Sequence, residues 1–157
     1  MRLFMIAVLS ACVLPVLAQS APPVTRSAPE WAVAVFPSGA SFTLELAATP
    51  SQQRSGYMFR EHVPDDEGML FLFAGPKRHS IWMKNCKVSL DIIFLDESFR
   101  VIEIFSDAPP CVADEPCPSM QPMQVSNYVL EVAGGRAAAE KLRLGDTVVI
   151  DSEPPIR

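Results

Sequence analysis

Alternating side chains predict a pair of strands near residue 40. Residues 31–36 alternate bulky and small side chains, and residues 42–46 alternate apolar and polar ones. A period of two is typical of strands that bury one face. The turn-forming run Pro37-Ser38-Gly39 separates the two segments. The pattern therefore predicts a β-hairpin at the start of the folded domain.

The next segment carries the signals of a helix start. Thr49 can cap a helix, Pro50 suits its first position, and Gln52 completes a capping box. We expect this helix over residues 50–59. Gly56 in its last turns costs about 1 kcal/mol relative to alanine, and close backbone packing is the reason we assign to it.

The remaining pattern predicts more strands than helices. Residues 68–73 are apolar on both faces, which is typical of a central strand. Further strands are expected at residues 81–83, 90–95, 101–105, 127–132 and 147–151, and a short alanine-rich helix at 135–142. The predicted fold class is α+β: a sheet-rich domain with a mostly antiparallel, partly closed, barrel-like sheet and two short helices.

The N-terminus is typical of a cleaved export signal. A short basic start precedes an apolar run that ends in small or aliphatic residues, so residues 1–18 are predicted to be a signal peptide. Residues 19–30 are a proline-rich tether, and residues 31–157 form a single folded domain. We expect an exported protein, periplasmic or secreted, with no transmembrane span. A lipid anchor on Cys12 is the minority alternative, because the residues before it resemble a lipoprotein box.

Composition and charge narrow the function classes. Hydrophobic residues make up 49% of the 157 positions and charged residues 20%, which excludes a disordered or coiled-coil chain. The formal charge of −5 and the scattered basic residues argue against a nucleic-acid partner. The sequence has no glycine-rich phosphate loop, no Gly-x-Ser-x-Gly elbow and no His-Glu-x-x-His motif, and we predict no cofactor.

Two carboxylates interrupt apolar strand faces. Asp91 and Glu131 each share a strand face with aliphatic residues. A buried carboxylate needs a cation or several donors, and Lys84 and Arg60 are the candidates near Asp91. An internal ion pair that orders the sheet is the favoured interpretation, and a charged pocket is the other. Trp82 is either a ligand platform or a core residue, and the usual burial of large aromatic side chains favours the core.

The cysteines beyond the signal allow two interpretations. Cys111 and Cys117 are six positions apart in one proline-bound loop, and an exported protein tends to oxidise such a pair. The alternative is a soft-metal site, since Met120 and Met123 follow and thioether with thiolate suits Cu(I). We favour the disulfide and predict no metal site. Cys86 is then left as a buried free thiol.

Five short strings occur in a fixed order along the domain: Gly56-Tyr57-Met58-Phe59-Arg60, Gly68-Met69-Leu70-Phe71, Trp82-Met83-Lys84-Asn85, Leu90-Asp91-Ile92-Ile93-Phe94, and Tyr128-Val129-Leu130-Glu131 with Gly135. Taken together they resemble the domain-of-unknown-function family 192 over residues 42–150. Two positions depart from the family pattern: Tyr57 stands where leucine is more frequent, and Cys86 where threonine is common. Members with paired cysteines before the last strand look like this chain at Cys111 and Cys117.

The resemblance implies a compact, sheet-rich α+β domain that is often exported, and it implies no particular reaction. It also favours a shared candidate pocket of polar and aromatic groups, formed by Arg60, Trp82, Lys84, Asp91 and Glu131. The leading hypothesis is a small exported binding or accessory module for an unknown small molecule or envelope component. The alternatives are an enzyme acting on an envelope component, with Asp91 as acid or base, and a copper carrier.

Overall fold

The computed structural model describes residues 30–111, 116–152 and 156. The predicted signal peptide, the possible lipid site at Cys12 and the tether up to residue 29 lie outside the described residues. Neither helix in the described part of the chain has the length and apolar character needed to cross a membrane.

The described residues contain nine strands and two short helices. The strands are β1 (Trp31–Val35), β2 (Ser41–Ala47), β3 (Glu67–Lys77), β4 (Ile81–Trp82), β5 (Leu90–Leu95), β6 (Val101–Ala108), β7 (Ser119–Met120), β8 (Ser126–Ala133) and β9 (Val149–Asp151). The helices are α1 (Pro50–Ser55) and α2 (Arg136–Ala139). The predicted α+β class with two short helices is confirmed.

Seven strands form one curled sheet, in the order β6-β5-β8-β3-β2-β1-β9. Its neighbouring strands are antiparallel except for β2 and β3, which run parallel. A parallel pair needs a crossover connection, and here the crossover contains α1. The predicted hairpin is β1 with β2, and the predicted central strand is β3, which lies between β2 and β8.

The two ends of the large sheet meet, which makes it a half-barrel. Arg100 and Thr147 form an isolated antiparallel bridge between the chain before β6 and the chain before β9. The N–H of Val101 donates to the carbonyl of Asp146 at 2.8 Å, and the N–H of Val148 donates to the carbonyl of Phe99 at 3.0 Å. The expected partial closure is therefore present.

Each face of the sheet covers its own apolar core. The first core lies under α2 and includes Phe36, Phe42, Leu44, Ile93, Leu95 and Leu130. The second lies under the segments after α1 and around β4, and includes Tyr57, Phe71, Met83, Cys86, Ile92 and Phe94. Because alternate strand residues point to opposite faces, Asp91 and Ile92 face different cores.

Some element bounds differ from the sequence expectation for local reasons. The capping box at Thr49 and Gln52 is present, yet α1 ends at Ser55 because Gly56 takes a positive φ of 43°. β3 continues through residues 75–76 to Lys77 after a register shift beyond Leu72. Residues 81–82 lie outside the main sheet and pair with β7, for which the sequence pattern predicted no strand.

Candidate functional site

A pocket of about 90 Å³ opens on the second face of the sheet. Its walls come from α1 and the turn after it, from β3 and β4, from the loop after β4, and from β8. Most of the residues lining it are aromatic, polar or sulfur-bearing: Gln53, Arg54, Ser55, Gly56, Tyr57, Met58, Phe71, Phe73, Ser80, Ile81, Trp82, Cys86 and Glu131. It is the site that we consider for function.

Glu131 reaches this pocket from the middle of the sheet. It lies on β8, opposite Met69 of β3 and Ile92 of β5. Its side chain is 4% exposed, and burial raises the pKa of the carboxyl to about 8. Within the described part of the chain, no hydrogen bond or salt bridge to this carboxyl is present, and its oxygens border open space, because Arg136 Nε is the one fully enclosed polar side-chain atom there without a partner. An acid in this setting keeps its proton at neutral pH.

Two further polar groups lie beside Glu131. Tyr57 is 3% exposed, and burial together with the nearby Glu131 carboxyl raises the pKa of its phenol. Cys86 is a buried free thiol, as predicted, and burial and Glu131 raise its pKa to about 11. A thiol with this pKa is a weak nucleophile at neutral pH. The pocket therefore offers uncharged hydrogen-bonding groups.

The chain path at Gly56 places Tyr57 in this pocket. Gly56 has φ 43° and ψ −131°, a conformation that side chains with a Cβ rarely adopt. A Cβ built on it would lie 3.4 Å from the ring of Phe71. The glycine thus ends α1 and lets the backbone turn sharply over Phe71 so that the next residue points inward.

Trp82 forms an outer wall of the pocket and is 50% exposed. The expectation that it is a core residue is therefore wrong. Lys84 places its Nζ over the indole ring, 5.2 Å from the ring centroid. The backbone of Trp82 pairs with Ser119 of β7, and Ser80 hydrogen bonds to the Ser119 hydroxyl. The wall is thus held by the small β4–β7 sheet.

The predicted disulfide between Cys111 and Cys117 is present, with Cα atoms 5.7 Å apart. Cys111 also contacts the pocket side of the fold, because its N–H donates to the carbonyl of Cys86 at 3.3 Å and its carbonyl accepts from the N–H of Asn85 at 2.9 Å. The bond closes the loop that leads into β7. It also takes up both cysteine sulfurs that the copper-carrier alternative requires. Within the described residues, no group of three or more His, Cys, Asp or Glu side chains is placed to hold a metal ion.

Arg60 lies at the edge of the pocket and is committed to another carboxylate. Its guanidinium bonds both oxygens of Glu45, at 2.5 and 2.7 Å. The hydrogen bond from Arg60 holds the pKa of Glu45 below its usual value. The same guanidinium packs over the ring of Tyr57, 4.8 Å from its centroid. Arg60 therefore packs against the ring of Tyr57 and helps to hold it in place.

Asp91 lies on the opposite face of the sheet from Glu131. It pairs across the sheet with Val132, whereas Glu131 pairs with Ile92. Asp91 is 0% exposed, as its place on an apolar strand face predicts. Its partners are the backbone N–H groups of residues 107, 135 and 137, at 2.7, 3.0 and 2.6 Å. The expected pairing with Lys84 or Arg60 does not form, since both cations lie on the other side of the sheet.

The five residues of the predicted pocket are therefore divided. Trp82 and Glu131 line the pocket, Arg60 and Lys84 stack against its aromatic walls, and Asp91 is sealed away from it. Sequence reasoning missed Tyr57 as a wall residue. The available signal was its departure from the family pattern, which Cys86 shares.

Comparison with solved structures supports the same fold. A protein from Sinorhizobium meliloti described as a "putative transcription regulator" is 29% identical, with a TM-score of 0.67, covering 82% of this chain and 96% of that one. A protein of unknown function from Novosphingobium aromaticivorans is 35% identical, with a TM-score of 0.66, covering 85% of this chain and 93% of that one. No curated protein matches the chain.

The family resemblance is also confirmed along the sequence. The model of the DUF192 family, described as an uncharacterized ACR, matches residues 33–150. That span contains both helices, all residues that line the pocket, and the main sheet except Trp31 and Ala32 of β1 and Asp151 of β9. The chain therefore belongs to the DUF192 family.

Proposed function

We propose that this protein is a small exported module that binds a small molecule in the pocket around Glu131. The observation that carries the proposal is a buried, unpartnered carboxyl that faces a pocket instead of a protein donor. Its oxygens border the pocket and have no protein donor. A ligand that hydrogen bonds to Glu131 would supply the partner that a carboxyl largely removed from water requires.

The aromatic walls suit this role. Ligand pockets are mostly apolar and hold a few well-placed polar groups. Tyr57, Phe71 and Trp82 supply apolar and aromatic surface, while Glu131 and Cys86 supply the polar groups. The half-exposed Trp82 provides surface at the mouth, where a larger ligand or an envelope component would extend beyond the pocket.

Binding is tested by a thermal-shift screen of small molecules on the full chain. A ligand that prefers the native state raises the melting temperature. Trp82→Ala should abolish the shifts, whereas Trp31→Ala should preserve them. Trp31 is a matched control because it is 54% exposed and lies on β1, where it lines a separate groove of about 240 Å³ next to Asp151. Shifts that Trp31→Ala abolishes would place binding in that groove instead. Shifts that survive Trp82→Ala as well as they survive Trp31→Ala would place binding elsewhere.

Export rests on residues 1–18 and agrees with the disulfide, since such bonds persist in oxidising compartments. Expression of the full chain in a bacterium, followed by fractionation and intact-mass measurement, tests it. We expect a periplasmic or secreted product that begins at Gln19. A diacylated product that begins at Cys12 would show a lipid anchor instead, and an unprocessed cytoplasmic product would contradict export.

One structural relative is described as a putative transcription regulator, but we do not propose DNA binding for this chain. DNA binding requires a basic surface to neutralise phosphates. The chain has a formal charge of −5, and the guanidinium of Arg60 is paired with Glu45.

A further inference from the structure

The pocket floor around Glu131 carries no formal charge of its own at neutral pH. The cross-strand neighbours of Glu131 are the apolar side chains of Met69 and Ile92. The turn after α1 contributes the phenol of Tyr57, and the loop after β4 contributes the thiol of Cys86. Both groups are protonated at neutral pH, since the ordinary pKa values of a phenol and a thiol lie above neutrality and burial raises the pKa of each further.

The cations near the pocket lie at its rim and have other contacts or face solvent. Arg60 is bound by Glu45, and Lys84 lies over the outer indole. Arg54 lines the mouth from the exposed end of α1. None of these three is a hydrogen-bond or salt-bridge partner of Glu131 within the described residues. An ionised ligand at the floor would lose its hydration without gaining a counter-ion there.

We propose that Glu131 and Tyr57 form a two-donor subsite for the carbonyl oxygen of an uncharged ligand, such as a carboxamide. This inference rests on the proposed binding function and names its ligand class. A protonated carboxyl and a phenol each present one O–H donor. A pair of this kind, a tyrosine with a carboxylic acid kept neutral by an apolar site, can hold a carbonyl oxygen or oxyanion.

The size of the pocket limits what enters it. Its volume of about 90 Å³ is below that of a cavity of roughly 150 Å³ that accepts benzene. A carbonyl head group of a few heavy atoms fits at the floor. The remainder of a larger ligand would then lie against Trp82 at the mouth.

The test compares two probes of similar shape, propionamide and propylammonium, on the full chain. Binding is followed by NMR shifts of the Trp82 indole N–H, with the Trp31 indole as an internal reference. The amide should bind at pH 6 and lose roughly tenfold in affinity by pH 9, because the carboxyl loses its donor proton near pH 8. An ammonium ligand requires the ionised carboxylate, so its affinity would rise over the same range.

Two variants separate the donors from the fold. Glu131→Gln keeps a neutral donor of the same shape, so amide binding should persist and its pH dependence should vanish. Tyr57→Phe should weaken amide binding about fivefold, the effect of one hydrogen bond. Tyr128→Phe is the matched control, because Tyr128 packs against the first core, stacked on Phe99, and should leave binding unchanged.

The outcomes distinguish this subsite from the binding function as a whole. Preferential binding of propylammonium, or amide binding that Tyr57→Phe leaves intact, would overturn the carbonyl subsite and leave a binding pocket. Absence of any response to the amide at pH 6 would also overturn it. If the thermal-shift screen finds no ligand dependent on Trp82 either, the proposed function itself fails.

Discussion

The carboxylate of Asp91 accepts a hydrogen bond of 2.6 Å from the backbone N–H of Ala137, 46 residues later in the chain. It thereby caps the first turn of α2, whose own N-cap residue, Gly135, has no side chain to do so. The same carboxylate accepts from the N–H groups of Asp107 and Gly135. One buried side chain thus joins β5, the end of β6 and α2.

Asp91→Ala should lower the free energy of unfolding by about 3 kcal/mol, because three backbone donors lose a fully buried acceptor. Asp91→Asn should lose less, since its Oδ1 can still accept from residues 107 and 135 while its amide faces the N–H of Ala137. Urea denaturation at neutral pH measures both. Glu97→Ala is the control: Glu97 is exposed, and its loss should stay within about 0.5 kcal/mol.

If Asp91→Ala lowered the free energy of unfolding no more than Glu97→Ala, the three hydrogen bonds would not contribute to stability. Asp91 would then be neither a helix cap nor a link between strands.

The two carboxylates show which features of the site can be predicted from the sequence and which cannot. A period of two revealed that Asp91 and Glu131 lie on apolar strand faces, and both are buried. Which face of the folded sheet each one occupies depends on register with β8 and β3, and on the crossover through α1. Those are long-range pairings that no local pattern encodes, so Asp91 was assigned cations that lie on the other side.

The pH dependence of stability should report on Glu131. In the unfolded chain its carboxyl ionises near pH 4.5, whereas in the folded chain it keeps its proton to about pH 8. The folded state therefore binds more protons between these values, and stability falls as the pH rises. Relative to Glu131→Gln, the wild type should lose about 1.4 kcal/mol per pH unit across this window. Urea denaturation from pH 5 to pH 9 measures the difference.

Relative to Glu45→Gln, the stability of the wild type should change with pH in the opposite direction and fall as the pH falls. The hydrogen bond from Arg60 lowers the pKa of Glu45 in the folded state, so its contribution is present above about pH 4.5 and is lost on acidification.

A stability difference between wild type and Glu131→Gln that does not change with pH would mean that the Glu131 carboxyl is hydrated and titrates normally.

The cysteines should differ in their reactivity towards iodoacetamide. In the unreduced, denatured exported protein we expect one label, on Cys86, and two more after reduction, on Cys111 and Cys117. In the native state Cys86 should react slowly, because it is buried and its pKa is raised to about 11. Peptide mass spectrometry locates each label, and three labels without reductant would contradict the disulfide.

Gly56→Ala should destabilise the domain by about 1–3 kcal/mol, because the φ and ψ of this position strain any residue with a Cβ. Gly39→Ala is a partial control: Gly39 also has a positive φ, 92°, but nothing lies within 4 Å of a built Cβ. A larger loss at Gly56, together with weaker ligand shifts, would show that the turn over Phe71 positions Tyr57. Equal losses and unchanged ligand shifts would leave Gly56 with a purely local role.

Other parts of the site lay beyond local patterns for a related reason. The exposure of Trp82 follows from β4 pairing with β7 across the disulfide loop, and a pairing over that distance leaves no trace in the hydropathy of residues 81–83. Most strands of the main sheet were predictable because they show either an alternating buried face, as in β1 and β2, or a continuous apolar run, as in β5. The end of α1 at Ser55 was not predictable, because the positive φ of Gly56 that ends the helix depends on the turn over Phe71 and not on the local pattern.

The meeting of the sheet ends has a consequence for colloidal behaviour. A strand at the end of an open sheet exposes backbone groups that can recruit the strands of other molecules. Here the bonds from Val101 to Asp146 and from Val148 to Phe99 occupy backbone groups at the start of β6 and just before β9. Each end of the sheet thus shields part of the other from templating fibrils or domain-swapped assemblies. This protection matters most for a protein that must fold outside the reach of ATP-driven chaperones, as the proposed export implies.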